Sequence, residues 1–277
     1  MVDFSIEIIT LGEKSLKDSL ESIMSQSYDS FEIVCANSSS EPAILKILED
    51  YSVRHVEVGK IKHLRGREVS HSLSTGRYSL VMDSTRLLEQ NALDILKQYI
   101  EKFDMVAIRE GTIGSGFWAT QAKIYKDISE RNTEPGRIKE RIPSYILPRL
   151  YKNNLLSKVF SSLRQKIPDK MFNSIGYGEH HIIFQEAISM TSSLYYYKGN
   201  ELIKHYEDDS IMKIYRKYRS YGSDQIILKS LPYYNASSLA SHMRGLSMSQ
   251  FIGNVLCSPL ISLRSMSFLI GMLTRRS

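Results

Sequence analysis

The chain has 277 residues, 42% of them hydrophobic and 24% charged, with a formal net charge of +6 at pH 7. That is the balance of a folded globular protein, long enough for one large domain or for a domain and an extension, and it excludes a disordered chain. Two cysteines, Cys35 and Cys257, stand far apart and in no metal-ligand spacing, so a disulfide framework is excluded and a reducing, cytoplasmic setting is expected.

The first residues carry no basic segment followed by a long apolar one, so no signal peptide is expected. The excess positive charge is concentrated beyond residue 120 and calls for an anionic partner: a nucleotide diphosphate, an anionic lipid or a nucleic acid. Seventeen tyrosines, several of them within 195–234, suit sugar stacking and phosphate contact, and suit single-stranded RNA equally well.

Taken in order, Phe4 to Thr10 reads as a strand ending at Leu11-Gly12-Glu13. Ser15 is placed to cap a helix whose apolar positions Leu16, Leu20, Ile23 and Met24 recur at helical spacing. Phe31 to Ala36 is a second strand, followed by the polar loop Asn37-Ser38-Ser39-Ser40. Glu41-Pro42 then opens a helix running through Tyr51. His55 to Val58 is a short third strand. Tyr78 to Met82 is an apolar, β-favouring run that ends in Asp83, with a helix-like run from Leu88 to Phe103 beyond it. Strands alternating with helices in this way predict a doubly wound, mostly parallel sheet with helices on both faces. Its ligand crevice is then expected beyond the carboxyl ends of the strands.

The run Ile8-Ile9-Thr10, Leu20-Glu21-Ser22-Ile23, Gln26-Ser27-Tyr28, Phe31-Glu32-Ile33-Val34 and Asn37-Ser38-Ser39 resembles the opening of family 2 glycosyltransferases. Arg67, then Ser74-Thr75-Gly76-Arg77-Tyr78 and Met82-Asp83-Ser84, resembles that family's Arg … Gly-Glu-Tyr … Asp-x-Asp segment, with Thr85 where a second acid is expected. The match holds in order and spacing over roughly the first hundred residues. It implies a GT-A-like fold, a nucleotide-sugar donor and an inverting transfer. Thr10, Leu11, Gly12 and Glu13 would flank base and ribose, Asn37 would meet the base, and Arg67 the diphosphate. Asp83 would meet ribose or a Mg²⁺ or Mn²⁺ ion bridging the diphosphate, since a hard cation takes oxygen ligands. Without the resemblance, residues 37–40 are a plain polar turn, Arg67 belongs to a solvated basic loop with Lys60, Lys62 and Arg65, and Asp83 caps a helix.

Past a strand at Met105 to Ile108, three glycines (Gly111, Gly114 and Gly116) lead to Phe117-Trp118. The glycine spacing is not a dinucleotide fingerprint. A flexible loop over the sugar site with Phe117 or Trp118 as a stacking platform is expected, and a core-filling Trp118 is the alternative. Residues 120–170 are basic and mostly helical in pattern, broken near Pro135, Pro143 and Pro148.

Gly178-Glu179-His180 falls where the resembling family keeps a Glu-Asp pair holding the general base. Glu179 is the first choice for that role and His180 the second, since a carboxylate or a neutral imidazole takes a proton near pH 7. An acid at a helix N-terminus that serves only the dipole is the alternative. His205 ends a strand where the family carries a metal- or diphosphate-contacting histidine, and a lone satisfied polar group is its alternative. Ile211 to Tyr221, with Lys213, Arg216, Lys217 and Arg219, reads as a basic helix stopped by Gly222. The apolar runs Gln250 to Leu263 and Met266 to Leu273 are too short to span a bilayer; they suit a helix lying in the membrane interface, which is the preferred reading, and equally a dimer surface or packing on the catalytic domain.

The expectation is a GT-A-like domain over 1–222, with a nucleotide-sugar half at 1–110 and an acceptor half at 111–222, and a helical extension at 223–277. Its donor is a nucleotide-diphosphate sugar and its acceptor a glycan or lipid-linked glycan, reached from the cytoplasmic side of a membrane by peripheral contact. Two rivals are a catalytically degenerate nucleotide-sugar or glycan binder and a nucleic-acid-binding protein, the second unsupported by any RNA-binding motif.

Overall fold

The computed structural model describes residues 2–130, 135–137, 147–229, 231 and 255–274. They form two compact units. One comprises Met1–Glu110, Pro135–Ser174 and Glu179–His205, the other Gly111–Glu134, Ile175–Gly178 and Tyr206–Ser277.

The larger unit is built on an eight-stranded sheet. Strands β1 (Phe4–Thr10), β2 (Phe31–Asn37), β3 (Arg54–Glu57) and β4 (Tyr78–Asp83) run parallel in the order β3-β2-β1-β4. Beyond β4 the order continues through β9 (Pro148–Lys152), β6 (Met105–Ile108), β10 (Leu194–Tyr197) and β8 (Gly136–Arg137). Strand β9 is antiparallel to both its neighbours, and β10 is parallel to β6. A short strand β5 (Arg86–Leu88) leaves this sheet and pairs with β11 (Ile203–Tyr206). Strand β7 (Glu110–Ile113) follows β6 in the chain.

Every residue of β1 is buried, which is possible only where both faces of the sheet are covered. Phe4, Ile6 and Ile8 point to one face. There they meet Leu16, Leu20 and Ile23 of α1 (Leu16–Met24), Ile44 and Leu48 of α2 (Pro42–Asp50) and Leu93, Leu96 and Ile100 of α4 (Ala92–Ile100). Ser5, Glu7 and Ile9 point the other way, towards α3 (His63–Ser72) and α6 (Asn153–Lys166). The carboxylate of Glu7, wholly buried, accepts from His71 Nδ1 and Ser74 Oγ, each at 2.8 Å, and His71 Nε2 lies 2.9 Å from Ser157 Oγ on α6. This relay ties two helices to the centre of the sheet and leaves neither ring nitrogen of His71 unpartnered. Gly76, just before β4, lies so near β1 that a Cβ there would sit 2.7 Å from the Ser5 nitrogen.

The smaller unit contains α5 (Phe117–Glu130), α9 (Ile211–Lys229) and α10 (Ser258–Thr274). Ala122, Ile214 and Leu260 form its core, with Trp118, Tyr218 and Leu263 packed against them. Gly222 and Gly271 bring α9 and α10 into backbone contact. A Cβ at Gly222 would overlap the Phe268 carbonyl, and one at Gly271 the Arg219 carbonyl.

Several expectations are corrected. Ser15 makes no side-chain cap, and its Oγ donates to the Ser84 carbonyl at 3.0 Å, pinning the start of α1 to the end of β4. The run from Leu88 to Phe103 is a strand end followed by a shorter helix. Arg67 is not in a solvated loop but buried on α3. Pro148 opens a strand rather than breaking a helix, at the first residue, where a missing N–H is tolerated. Gly222 does not stop the basic helix, because the close approach of α10 requires a residue without a side chain there. Accordingly the compact units do not divide at 222, and α9 belongs with α10. The glycine-rich stretch is not one loop. It holds β7 and then the start of α5, whose Trp118 and Ala119 amides donate to Asp209 Oδ1 at 3.0 and 3.3 Å. Pro143 and the start of the first C-terminal apolar run, 250–254, lie outside the described residues. Among the described residues no helix is long and apolar enough to cross a membrane.

Candidate functional site

The parallel register sets the ends of three strands side by side. Thr10 of β1 is opposite Asn37 of β2, and Ile9 is opposite Asp83 of β4. The loop after β1 folds around one carboxylate oxygen. Glu13 Oε2 accepts from Thr10 Oγ1 and the Leu11 amide, each at 2.9 Å, and from Ser84 Oγ at 2.6 Å. Gly12 has φ +101° and lies against Ser39, so this turn requires glycine. Leu11 is left exposed at the tip. Asn37 closes its own turn, its amide donating to the Ser39 carbonyl at 3.1 Å while the Ser39 amide donates back to Oδ1 at 2.9 Å. That leaves one N–H and one lone pair of the Asn37 side chain for another partner.

Beside these strand ends lies a buried charge cluster. Arg67 reaches from α3 to donate to the Met82 carbonyl and to Asp83 Oδ1, and it stands 3.7 Å from Glu179. Arg86, on β5, pairs with the other oxygen of Asp83 and with Glu110 at 3.2 Å. Arg149, on β9, donates to the same Glu110 oxygen at 2.7 Å. Arg67, Arg86 and Arg149 are all at least nine-tenths buried. Burial, with Arg149 close to both, lowers the guanidiniums of Arg67 and Arg86 to about 10, and both remain cationic at neutral pH.

Glu179 and His180 open α8 (Glu179–Met190), directly after Gly178, whose φ of +79° makes the sharp turn into the helix. Arg67 Nη2 is 3.0 Å from His180 Nε2, and Arg149 Nη1 donates to the same nitrogen. A guanidinium only donates, so Nε2 is an acceptor and the ring proton is on Nδ1. Burial, then the charges of Arg149, Arg67 and Arg86, push the imidazole well below its ordinary value, so it is neutral at pH 7. Nδ1 is buried and has no hydrogen-bond partner among the described residues.

The structure thus brings together Arg67, Asp83, Glu179 and His180, and sets Thr10 to Glu13 and Asn37 along the neighbouring strand ends. Trp118 is in the smaller unit, where it packs on that unit's core and meets Phe117 edge-on at 5.0 Å. His205 is opposite Arg86 in the β5–β11 register, so the two side chains share a face. Arg86, Arg149 and Glu110 were not singled out in the sequence. Arg86 follows Asp83 by three residues and was legible as its partner. Arg149 and Glu110 carry no local signal at all.

The residues present do not fit a divalent cation. Both oxygens of Asp83 are engaged by guanidiniums, and Thr85 offers no second carboxylate.

A mostly parallel α/β sheet with its polar groups gathered beyond the carboxyl ends of β1, β2 and β4 is a domain of the GT-A type. The chain belongs to glycosyl transferase family 2, whose family model matches residues 5–160. Among solved structures it is similar to S. aureus TarS, with a TM-score of 0.60 and 14% identity over 100% of this chain and 56% of TarS. The chain thus spans little more than half of TarS. TarS 1–349 in complex with UDP gives 0.59 at 14% identity, covering 99% of this chain and 91% of that one. The complex of TarS 1–349 with UDP-GlcNAc gives 0.56 at 14% identity, covering 95% and 81%. At such identity the likeness is one of fold. No curated protein matches the chain.

Proposed function

We propose that this chain is a glycosyltransferase that takes a sugar from a nucleoside-diphosphate donor and passes it, with inversion, to an acceptor hydroxyl. The observation that carries the reading is the alignment of Thr10, Asn37 and Asp83 at the ends of three parallel strands, with Arg67 standing between Asp83 and Glu179. Membership of family 2 supports the class of reaction. In the step proposed, the acceptor oxygen bonds to the anomeric carbon as the bond from that carbon to the β-phosphate oxygen breaks. The acceptor proton passes to Glu179 and the nucleoside diphosphate leaves with the bonding pair. Glu179 is preferred to His180 because the acceptor nitrogen of His180 is already held by two guanidinium donors and its basicity is depressed. His180 then acts as a positioning residue between Arg67 and Arg149.

UDP is the first nucleotide to test, because TarS has been solved with UDP and UDP-GlcNAc. A lipid-linked or membrane-proximal glycan acceptor at the cytoplasmic membrane face is part of the proposal. Its support is the exposure of Met266, Leu269 and Leu273 on α10. The test is calorimetric titration with UDP, GDP and their sugars, followed by assay of nucleotide release with glycan acceptors. One nucleotide binding about tenfold or more tighter than the other, weakened by Asp83→Ala, is the expected result. Absence of binding by every nucleotide sinks the reading. Binding with no release under any acceptor favours a glycan- or nucleotide-sugar-binding relative without turnover.

A further inference from the structure

Any donor diphosphate brings two or three negative charges into the crevice, and something there must balance them when the sugar departs. The acid at position 83 has its two oxygens engaged by Arg67 and Arg86, and position 85 is threonine. Relative to a pair of acids at 83 and 85, Thr85 removes one negative charge and Arg86 adds one positive. That change of two charges is the charge a divalent cation carries. Arg149 joins the same group through Glu110, on which it and Arg86 converge. The cluster as it stands holds three guanidiniums against three carboxylates (Asp83, Glu110 and Glu179), with His180 neutral between them.

We infer that Arg86 and Arg149, together with Arg67, bind the donor's diphosphate in place of a metal ion, and that transfer proceeds without a divalent cation. Two observations besides the missing acid point to an anionic ligand. Arg67, 1% exposed, keeps its Nε buried with no hydrogen-bond partner among the described residues, and His180 keeps Nδ1 in the same condition. Buried donors left unsatisfied are costly, and phosphate oxygens are the acceptors a guanidinium fork fits best. The diphosphate then shares the guanidinium donors with Asp83, which stays paired to Arg67 and Arg86.

The inference rests on the donor reading above, and the test separates the two. The full-length chain is titrated with UDP and GDP in EDTA and again in Mg²⁺ or Mn²⁺, with UMP or GMP as probes lacking the β-phosphate. The diphosphate that binds is expected to change affinity less than about threefold between EDTA and metal. Arg86→Gln and Arg149→Gln are expected to weaken it about tenfold or more, while the monophosphate moves less than about threefold. Arg86 bridges two carboxylates, so its loss could disturb folding. Arg86→Lys keeps the charge and removes the fork, and an intermediate loss of diphosphate affinity is expected of it. Diphosphate binding that vanishes in EDTA and returns with metal, with Arg86→Lys and Arg149→Gln without effect, overturns the inference and leaves the donor reading intact. No nucleotide binding under either condition overturns both.

Discussion

Two histidines in this unit, His71, which is buried, and His180, which is partly exposed, show how differently the same residue is used. His71 has a partner on each ring nitrogen, Glu7 on one side and Ser157 on the other, and it holds α3 and α6 to the middle of the sheet. His180 has two guanidinium donors on one nitrogen and no partner among the described residues on the other, at the end of the sheet where strand termini gather. Burial alone does not mark a site. The His71 relay itself keeps Glu7 Oε2 buried without a partner among the described residues, so what sets His180 apart is the two guanidiniums crowded on one nitrogen at the strand ends.

The contrast can be broken at several points. The largest effect is expected from Glu179→Gln, which keeps shape and removes the basic carboxylate beside His180. Turnover should fall about 10²- to 10⁴-fold with nucleotide affinity little changed, measured as nucleotide release against calorimetric binding. A variant of unchanged turnover would move Glu179 from chemistry to the helix terminus. Glu7→Ala addresses the other histidine. It strands the buried His71 Nδ1 and the Ser74 hydroxyl, and a loss of roughly 3 kcal/mol in urea unfolding is expected, with turnover per folded molecule unaltered. Loss of turnover at full stability would make the His71 relay part of the site.

The smallest effect concerns pH. Because the folded state holds His180 well below its ordinary value, the unfolded chain binds this proton first. Stability from the neutral ring is therefore complete above about pH 6.5 and declines as pH falls below it. One such group contributes a slope of up to about 1.4 kcal/mol per pH unit. His180→Gln should flatten the urea midpoint between pH 6.5 and 5.5. An unchanged slope would mean that burial and the neighbouring arginines do not hold the ring neutral.

The sequence carried the crevice better than the cluster. Thr10, Asn37 and Asp83 each sit at the end of an apolar run, and parallel pairing puts such ends together whatever the detailed geometry. Arg67 was picked out by the family resemblance, yet its burial was hidden because α3 has a weak apolar pattern and reads as a basic loop. Arg149 was invisible for a different reason. It follows Leu147-Pro148, which signals a break, and only the antiparallel entry of β9 between β4 and β6 carries it to His180. Trp118 packs against Ala122, Ile214 and Leu260 within the smaller unit, a contact that its glycine-rich approach gave no sign of.

The position of β9 also bears on how the chain is made. As the protein leaves the ribosome, β1 to β4 can pair among themselves, but β4 then offers a bare edge, and β6 has no strand between it and β4. Both wait until residue 152 has been synthesised, because among the described residues β9 alone joins the first half of the sheet to the second. An open edge of a buried parallel sheet is the surface on which nascent chains stick to one another. A pause or truncation before β9 therefore leaves a sheet that is half built and prone to aggregate, and the same strand that delivers Arg149 decides when the domain can close.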